Sequence, residues 1–295
     1  MLGILGGSGL YQLEVLEDVR EAVVATPFGD PSCAYVCGRL HAQDVCFLPR
    51  HGKGHRLLPS EINHRANIFG FKLLGVDRVL SVSAVGSLRE DLHPEDILLP
   101  DQYFDRTRRP GEQTFFGRGI AGHVSFGEPT CAVLRAAVEA AATRVIKTLH
   151  LSSRVHVGGT YVNMEGPAFS TKAESNFYRQ CGFDVIGMTS MTEAKLCREA
   201  EICYQAAAMV TDYDCWHETA GEVSVDLVIK HLLANVAVGK ALVAELAGNL
   251  PETRDCCCAS SLQHAVITDA AAIPASVRED LAPLLGKYWG EDETA

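Results

Sequence analysis

Short apolar runs rich in β-formers, several ending in glycine or other small residues, constrain this chain more than any other feature. The first, Leu2–Leu5, runs directly into Gly6-Gly7-Ser8-Gly9. Others are Glu21–Ala25, Ala34–Cys37, Val45–Leu48, Arg78–Val82, Asp96–Leu99, Val155–Val162, Asp184–Met188 and Ile202–Val210. Helical patterns lie between some of them. Ser60 is placed to cap a segment through Leu74, which Gly75 ends. Apolar positions recur at helical spacing over Glu128–Lys147, and a long helix is expected to start at Ser224 and run from Val225 to about Leu250. Thr171-Lys-Ala-Glu174 and Ser190-Met-Thr-Glu193 match the capping box, each opening a helix. A strand-rich front followed by alternating strands and helices predicts an α/β fold, a mixed, curved sheet flanked by helices. With no repeat and no low-complexity linker, one domain is expected over residues 1–289, and the acidic tail 290–295 is expected to fray.

The balance of 37 acidic against 26 basic residues gives a net charge of −11. A chain this acidic, with no stripe of Lys or Arg, lacks the footprint for gripping nucleic acid. If it binds phosphate, a few placed groups must do so locally. No run approaches about 18 apolar residues, and no secretion leader is evident, so a cytoplasmic protein with no membrane partner is expected. Most of the 11 cysteines sit singly in apolar runs, among them Cys37, Cys46, Cys131 and Cys203, as free thiols do in a reducing compartment. Cys256-Cys257-Cys258 is the exception. It reads as unremarkable thiols, as a redox or disulfide pair between Cys256 and Cys258, or as part of a metal site. For a zinc site only His264 lies near in sequence, so no metal is expected.

Three strand ends offer groups for an anion. Gly6-Gly7-Ser8-Gly9 lets backbone approach closely and adds a hydroxyl, or is a plain tight turn. It is not the dinucleotide fingerprint, because Gln12 stands where the last glycine is required. Pro49-Arg50-His51-Gly52-Lys53-Gly54-His55 reads as a phosphate grip or as a solvated basic loop. Ser83-Ala84-Val85-Gly86-Ser87 leaves N–H groups and hydroxyls free beyond a strand, where ligands of α/β sheets tend to sit. Gly187-Met188-Thr189 adds a hydroxyl at a helix N-terminus. Glu165-Gly-Pro-Ala-Phe169-Ser170 offers an aromatic face and a polar rim, or a core phenylalanine. In Thr211-Asp212-Tyr213-Asp214 the two carboxylates, two residues apart on extended chain, point the same way. They could chelate a metal, form an acid/base pair reading a heterocycle, or decorate a solvated turn.

Taken together, G-G-S-G, P-R-H-G-K-G-H-R-L-L-P, S-A-V-G-S-L-R-E, D-Q-Y-F-D-R-T, E-G-P-A-F-S-T-K-A-E-S, G-M-T and T-D-Y-D-C-W resemble the trimeric purine nucleoside phosphorylases, in the branch that acts on 5′-methylthioadenosine. The match runs in order from Leu2 to about Ala247, and the later C-x-C and A-V-I-T-D resemble the tail of some prokaryotic members. The resemblance implies a distorted mixed sheet flanked by helices, active sites near trimer interfaces, and hexamers in some members. It implies a pentosyltransferase of purine and methionine salvage, converting methylthioadenosine and phosphate to adenine and 5-methylthioribose 1-phosphate. No metal or organic cofactor is implied, phosphate being a co-substrate. Carried onto this chain, it puts phosphate against Ser8, Arg50, His51, Ser83, Ala84 and Thr189. Met188 would contact the ribose, Phe169 the purine, and Asp212 and Asp214, helped by Ser170, the purine N7 and amino group. Val225 would line the methylthio pocket, and His123 would come from a neighbouring subunit.

The chemistry agrees with that assignment. Breaking the glycosidic bond leaves positive charge on the ribose and negative charge on the purine; phosphate answers the first and a proton on N7 the second. Relatives acting on 6-oxopurines carry asparagine where this chain has Asp212, so a 6-aminopurine is favoured. Thr192, where many relatives have proline, and the central Cys257 depart from the pattern. A 6-oxopurine phosphorylase, and a non-catalytic nucleoside-binding or metal-regulated protein, are the alternatives.

Overall fold

β1 (Leu2–Gly6) is buried along its whole length because it lies between two parallel neighbours, β4 (Gln43–Pro49) and β5 (Arg78–Ser87). A strand covered on both faces reads as a continuous apolar run. Leu2 and Ile4 pack on one side and Leu5 on the other. Gly3 is required here, since a Cβ would stand 2.8 Å from Val76 Cγ1. The computed structural model describes residues 1–7, 15–108, 112–217 and 225–289, without the side chains of 225–230 and 232–234. The tail 290–295 lies outside the described residues.

The strands form one 11-stranded mixed sheet. Beyond β4 come β3 (Tyr35–Leu40) and β2 (Glu17–Ala22), both antiparallel. β5 outruns β1, whose pairing with it ends at Leu5↔Ser81. The free part of β5 pairs antiparallel with β10 (Val185–Gly187), which leads to β9 (Thr160–Asn163) and β7 (Gln102–Asp105). Along its length β5 pairs parallel with β11 (Cys203–Asp212), and β6 (Ile97–Leu99) and β8 (Val155–Val157) continue from there. Two helical layers cover the sheet. α1 (His64–Leu73), α4 (Ser190–Glu199) and α6 (Ala275–Leu285) share one apolar cluster; α2 (Ala132–Thr148) and α5 (Val225–Gly248) share another. α3 (Lys172–Gln180) opens on the expected capping box of Thr171 and Glu174. No described helix is long and apolar enough to cross a membrane.

Several expected boundaries move for local reasons. Val155–Val162 is two strands, broken by Gly158 and Gly159 at φ +83° and +117°. Ser60 sits in a single 3₁₀ turn, and the helix starts later with Asn63 as cap, its Oδ1 accepting from the Ala66 N–H at 3.1 Å. Glu128 stays outside α2 because Pro129 disfavours helix at the preceding residue, and Cys131 becomes the cap. Thr189, not Ser190, is the N-cap of α4. Ser224 lies outside the described residues. Cys37 and Cys46, expected as separate core thiols, are opposite partners in the β3–β4 ladder and are joined as a disulfide.

Candidate active site

The loop after β4 lies against the end of β1, where the Arg50 N–H donates to Gly6 O at 3.1 Å. The Arg50 side chain, 3% exposed, turns inward. Its Nε donates to Glu193 Oε1 at 2.7 Å, Nη2 to Ser81 Oγ at 2.7 Å, and Nη1 to Val82 O at 2.8 Å. Glu193 is 1% exposed and also accepts from Ser81 Oγ and the Tyr204 hydroxyl, at 2.6 and 3.0 Å. Burial alone would raise its carboxyl, but the charges of Arg50 and His64 and the hydrogen bonds from Ser81 and Arg50 outweigh burial and hold it below the usual range. Of the five guanidinium hydrogens, one on Nη1 has no acceptor among the described residues. Arg50 is thus largely committed to the fold, with one donor left to offer.

His51 follows, its Nδ1 2.8 Å from Leu57 O and its ring stacked on His55 at 4.1 Å. A carbonyl only accepts, so Nδ1 carries the hydrogen and Nε2 remains an acceptor in the neutral ring. Burial, then the neighbouring Arg50 charge, push its pKa down to about 4. Ser83 lies beyond the end of β1, buried, with no hydrogen-bond partner for its hydroxyl among the described residues. Ala84 beside it is the one exposed residue of β5. Thr189 is buried at the N-cap position of α4 but its hydroxyl makes no cap bond, and the neighbouring Ser190 hydroxyl has no partner among the described residues. Uncommitted hydroxyls at a positive helix end form a cradle suited to an anion.

The carboxylates come from the end of β11. A bulge between Val210 and Asp212 and a left-handed Asp214, φ +49°, turn both toward Gly86 of β5. A Cβ on Gly86 would lie 3.0 Å from Asp212 Oδ1 and 3.3 Å from Asp214 Cβ. Asp212 accepts from the Thr211 hydroxyl at 2.7 Å and the Asp214 N–H at 2.8 Å. Asp214 Oδ2 is buried without a partner among the described residues. Burial raises the pKa of both, offset in part at Asp212 by those two donors and at Asp214 by the hydroxyls of Ser175 and Ser170. Neither is a solvated turn residue, and no third ligand joins them in a metal-type cluster among the described residues.

Met188 directly precedes Thr189 and is held by Asn163, whose amide donates to Met188 O at 3.3 Å and accepts from the Met191 N–H at 3.2 Å. Phe169 is 48% exposed, so it is not a core residue, while Ser170 is buried and its carbonyl accepts from Cys215 Sγ at 3.3 Å. That contact brings the 165–170 segment beside the aspartates. His123 is exposed, its N–H donating to Ala265 O at 2.8 Å, and no hydrogen bond or ion pair joins it to the other candidates among the described residues. Ser8 lies outside the described residues. Val225 begins α5, but its side chain also lies outside them.

Residues 1–247 match the sequence model of the family described as the phosphorylase superfamily. The chain belongs to the phosphorylase superfamily. Within this superfamily it is similar to S-methyl-5′-thioadenosine phosphorylase of Geobacter sulfurreducens, 54% identical over 98% of this chain and 99% of that protein. The corresponding protein of Koribacter versatilis is 51% identical over 99% and 98%. Among solved structures, a methylthioadenosine phosphorylase from an antarctic soil metagenomic library superposes with a TM-score of 0.91, at 43% identity over 96% of this chain and 98% of that one. The methylthioadenosine phosphorylase of Schistosoma mansoni in complex with adenine gives 0.80, at 32% identity over 97% of each.

Sequence reasoning missed Glu193, Ser81, Tyr204 and Asn163. Glu193 had a signal but the wrong role, since S-M-T-E fits a capping box and so appears spoken for. Asn163 ends a strand pattern with no motif around it.

Proposed function

We propose that this member of the superfamily phosphorolyses S-methyl-5′-thioadenosine, yielding adenine and 5-methylthioribose 1-phosphate. The observation that carries this is the pair of buried carboxyls, Asp212 and Asp214, facing Gly86 on the strand that also bears the uncommitted Ser83 hydroxyl. The names of the relatives agree with it. Phosphate is held by Ser83, Thr189, the backbone of Ala84 and the remaining Arg50 donor, with Ser8 closing the cradle. Neutral His51 accepts the hydrogen of a monoprotonated phosphate through Nε2. A phosphate oxygen bonds C1′ of the ribose while the C1′–N9 bond breaks and its electron pair passes to the purine.

Asp212, its pKa raised by burial, delivers a proton to N7 as that charge develops. Asp214 accepts from the exocyclic amino group. Phe169 and Ser170 pack and bond the purine, Met188 borders the ribose, and Val225 borders the methylthio group. His123 reaches the pocket of a neighbouring copy in a trimer, two of which can pair into a hexamer. The reaction needs no cofactor and takes place in the cytoplasm.

The test is incubation of the purified chain with methylthioadenosine, with and without phosphate, followed by chromatography. Free adenine is expected only with phosphate, and more slowly formed base from methylthioinosine. Adenine released equally without phosphate, or preference for the 6-oxo substrate, would overturn the reading. Light scattering on the same sample checks the trimer.

A further inference from the structure

Four cysteines from three separate stretches of sequence converge at the start of β11, at the opposite end of that strand from Asp212. The sulfurs of Cys131, Cys203, Cys256 and Cys258 all lie within 4.8 Å of one another, and Cys203 Sγ is 3.4 Å from Cys256 Sγ. All four are free thiols, three of them buried. We propose that they form a closed tetrathiolate site for one structural zinc ion. In a regular tetrahedron with Zn–S of about 2.3 Å the sulfurs stand about 3.8 Å apart, so the 3.4 Å pair opens slightly and any wider pairs, none beyond 4.8 Å, close to meet the requirement.

Each ligand is positioned by the fold. Cys131 caps α2, where its sulfur accepts the Leu134 N–H at 3.5 Å, the kind of bond that orients a thiolate ligand. Its own N–H donates to Tyr204 O at 2.9 Å, which ties it to β11 beside Cys203. Cys256 is extended, φ −147° and ψ 162°, so Cys256 and Cys258 reach inward while Cys257 between them is exposed. This accounts for C-C-C: the outer two are ligands and the middle one is not. Four thiolates with one divalent cation leave two negative charges. Arg78 and Arg254 line the small cavity against Cys131, Cys203 and Cys256; both also pair with Asp77, at 3.3 and 3.7 Å, so they offset part of that charge. The C-x-C pair alone is half a site, and its partners arrive only through folding.

The ion would pin the C-terminal segment to the body of the sheet. That segment continues to Ala265, whose carbonyl accepts from the His123 N–H, and to Val266, which bridges to Gly122. Zinc at the cysteines therefore steadies the stretch carrying His123.

Elemental analysis of the full chain, purified with reductant from zinc-containing medium, is expected to find about one zinc per chain. Cys131→Ser and Cys258→Ser should lose it, whereas Cys257→Ser should keep it. Hydrogen exchange over 255–268 should rise several-fold in the metal-free protein. Should the serine variants fail to fold, wild-type protein stripped by a chelator and refilled with Co²⁺ still decides. Tetrahedral cobalt–thiolate absorption supports the site. Zinc-free wild-type protein that also gives no cobalt spectrum overturns it. So does a thiol count in denaturant showing disulfides among these four cysteines.

Discussion

Asp212→Asn preserves every contact the structure gives this side chain while removing its proton. The amide oxygen can accept from the Asp214 N–H, and the amide nitrogen can donate to Thr211 Oγ1, whose own hydrogen keeps Val85 O at 3.2 Å. The fold is therefore retained. Loss of general acid catalysis typically costs 10²–10⁴ in rate, or about 2.7–5.5 kcal/mol of barrier, so kcat for methylthioadenosine should fall by about that range. Stability should move the other way. Burial raises the Asp212 pKa above its ordinary 3.8, so its favourable contribution is complete below that value and is lost as pH rises through the raised one. Asparagine never ionises. The variant should gain on wild type by up to about 1.4 kcal/mol per pH unit across that window and hold the gain above it. Wild-type kcat should also decline as pH rises through the same value, and the variant's should not. Steady-state kinetics and urea unfolding over a pH series read both effects. Near-normal turnover in the variant, or stability that falls relative to wild type as pH rises, would refute the reasoning.

Arg50→Ala strands Glu193 as an unpaired buried charge, so urea unfolding should show a loss of about 3–5 kcal/mol; an unchanged midpoint would contradict the buried pair. Thr189→Val removes a hydroxyl that caps nothing, so phosphate KM should rise about two- to tenfold with Tm unchanged. His51→Gln should flatten the acid limb of the stability curve. The depressed pKa of about 4, against 6.5 unfolded, contributes stability above pH 6.5 that is lost as pH falls toward 4, with a slope up to about 1.4 kcal/mol per unit in denaturation experiments. Gly86→Ala pushes a methyl against Asp212, and kcat should drop about a hundredfold with substrate binding still measurable by calorimetry.

Much of the site was legible because strand ends carry their own chemistry. The ends of β1 and β4 do meet, since the two are parallel neighbours, but no loop follows residue 82: β5 runs on to Ser87, and Val82 meets Arg50 from within the strand. The aspartate pair was found for an incomplete reason. The chain there is not simply extended, and a bulge with a left-handed Asp214 aims the carboxyls, which alternation of strand residues does not reveal. Arg50 looked like a free anion grip because Glu193, 143 residues away, could not be paired with it in advance. The same blindness to distance hid the Cys131 and Cys203 partners of the C-x-C pair. β7 and α6 carried patterns too short or too mixed to stand out. Ser60 stood in for Asn63 because both are good caps and the 3₁₀ turn that holds Ser60 leaves no mark in composition.

The Arg50–Glu193 pair also sets a timetable for synthesis. Joining residues 143 apart closes a loop whose entropy costs about 4 kcal/mol, so the contact forms late unless the intervening strands have already paired. On the ribosome, about two thirds of the chain must emerge before Glu193 exists at all. Until then the guanidinium has no counterion to bury with, and the strand ends around it stay wet. The nascent protein therefore has β1, β4 and β5 available to assemble well before it can lock their ends together, and its anion pocket matures only as α4 arrives.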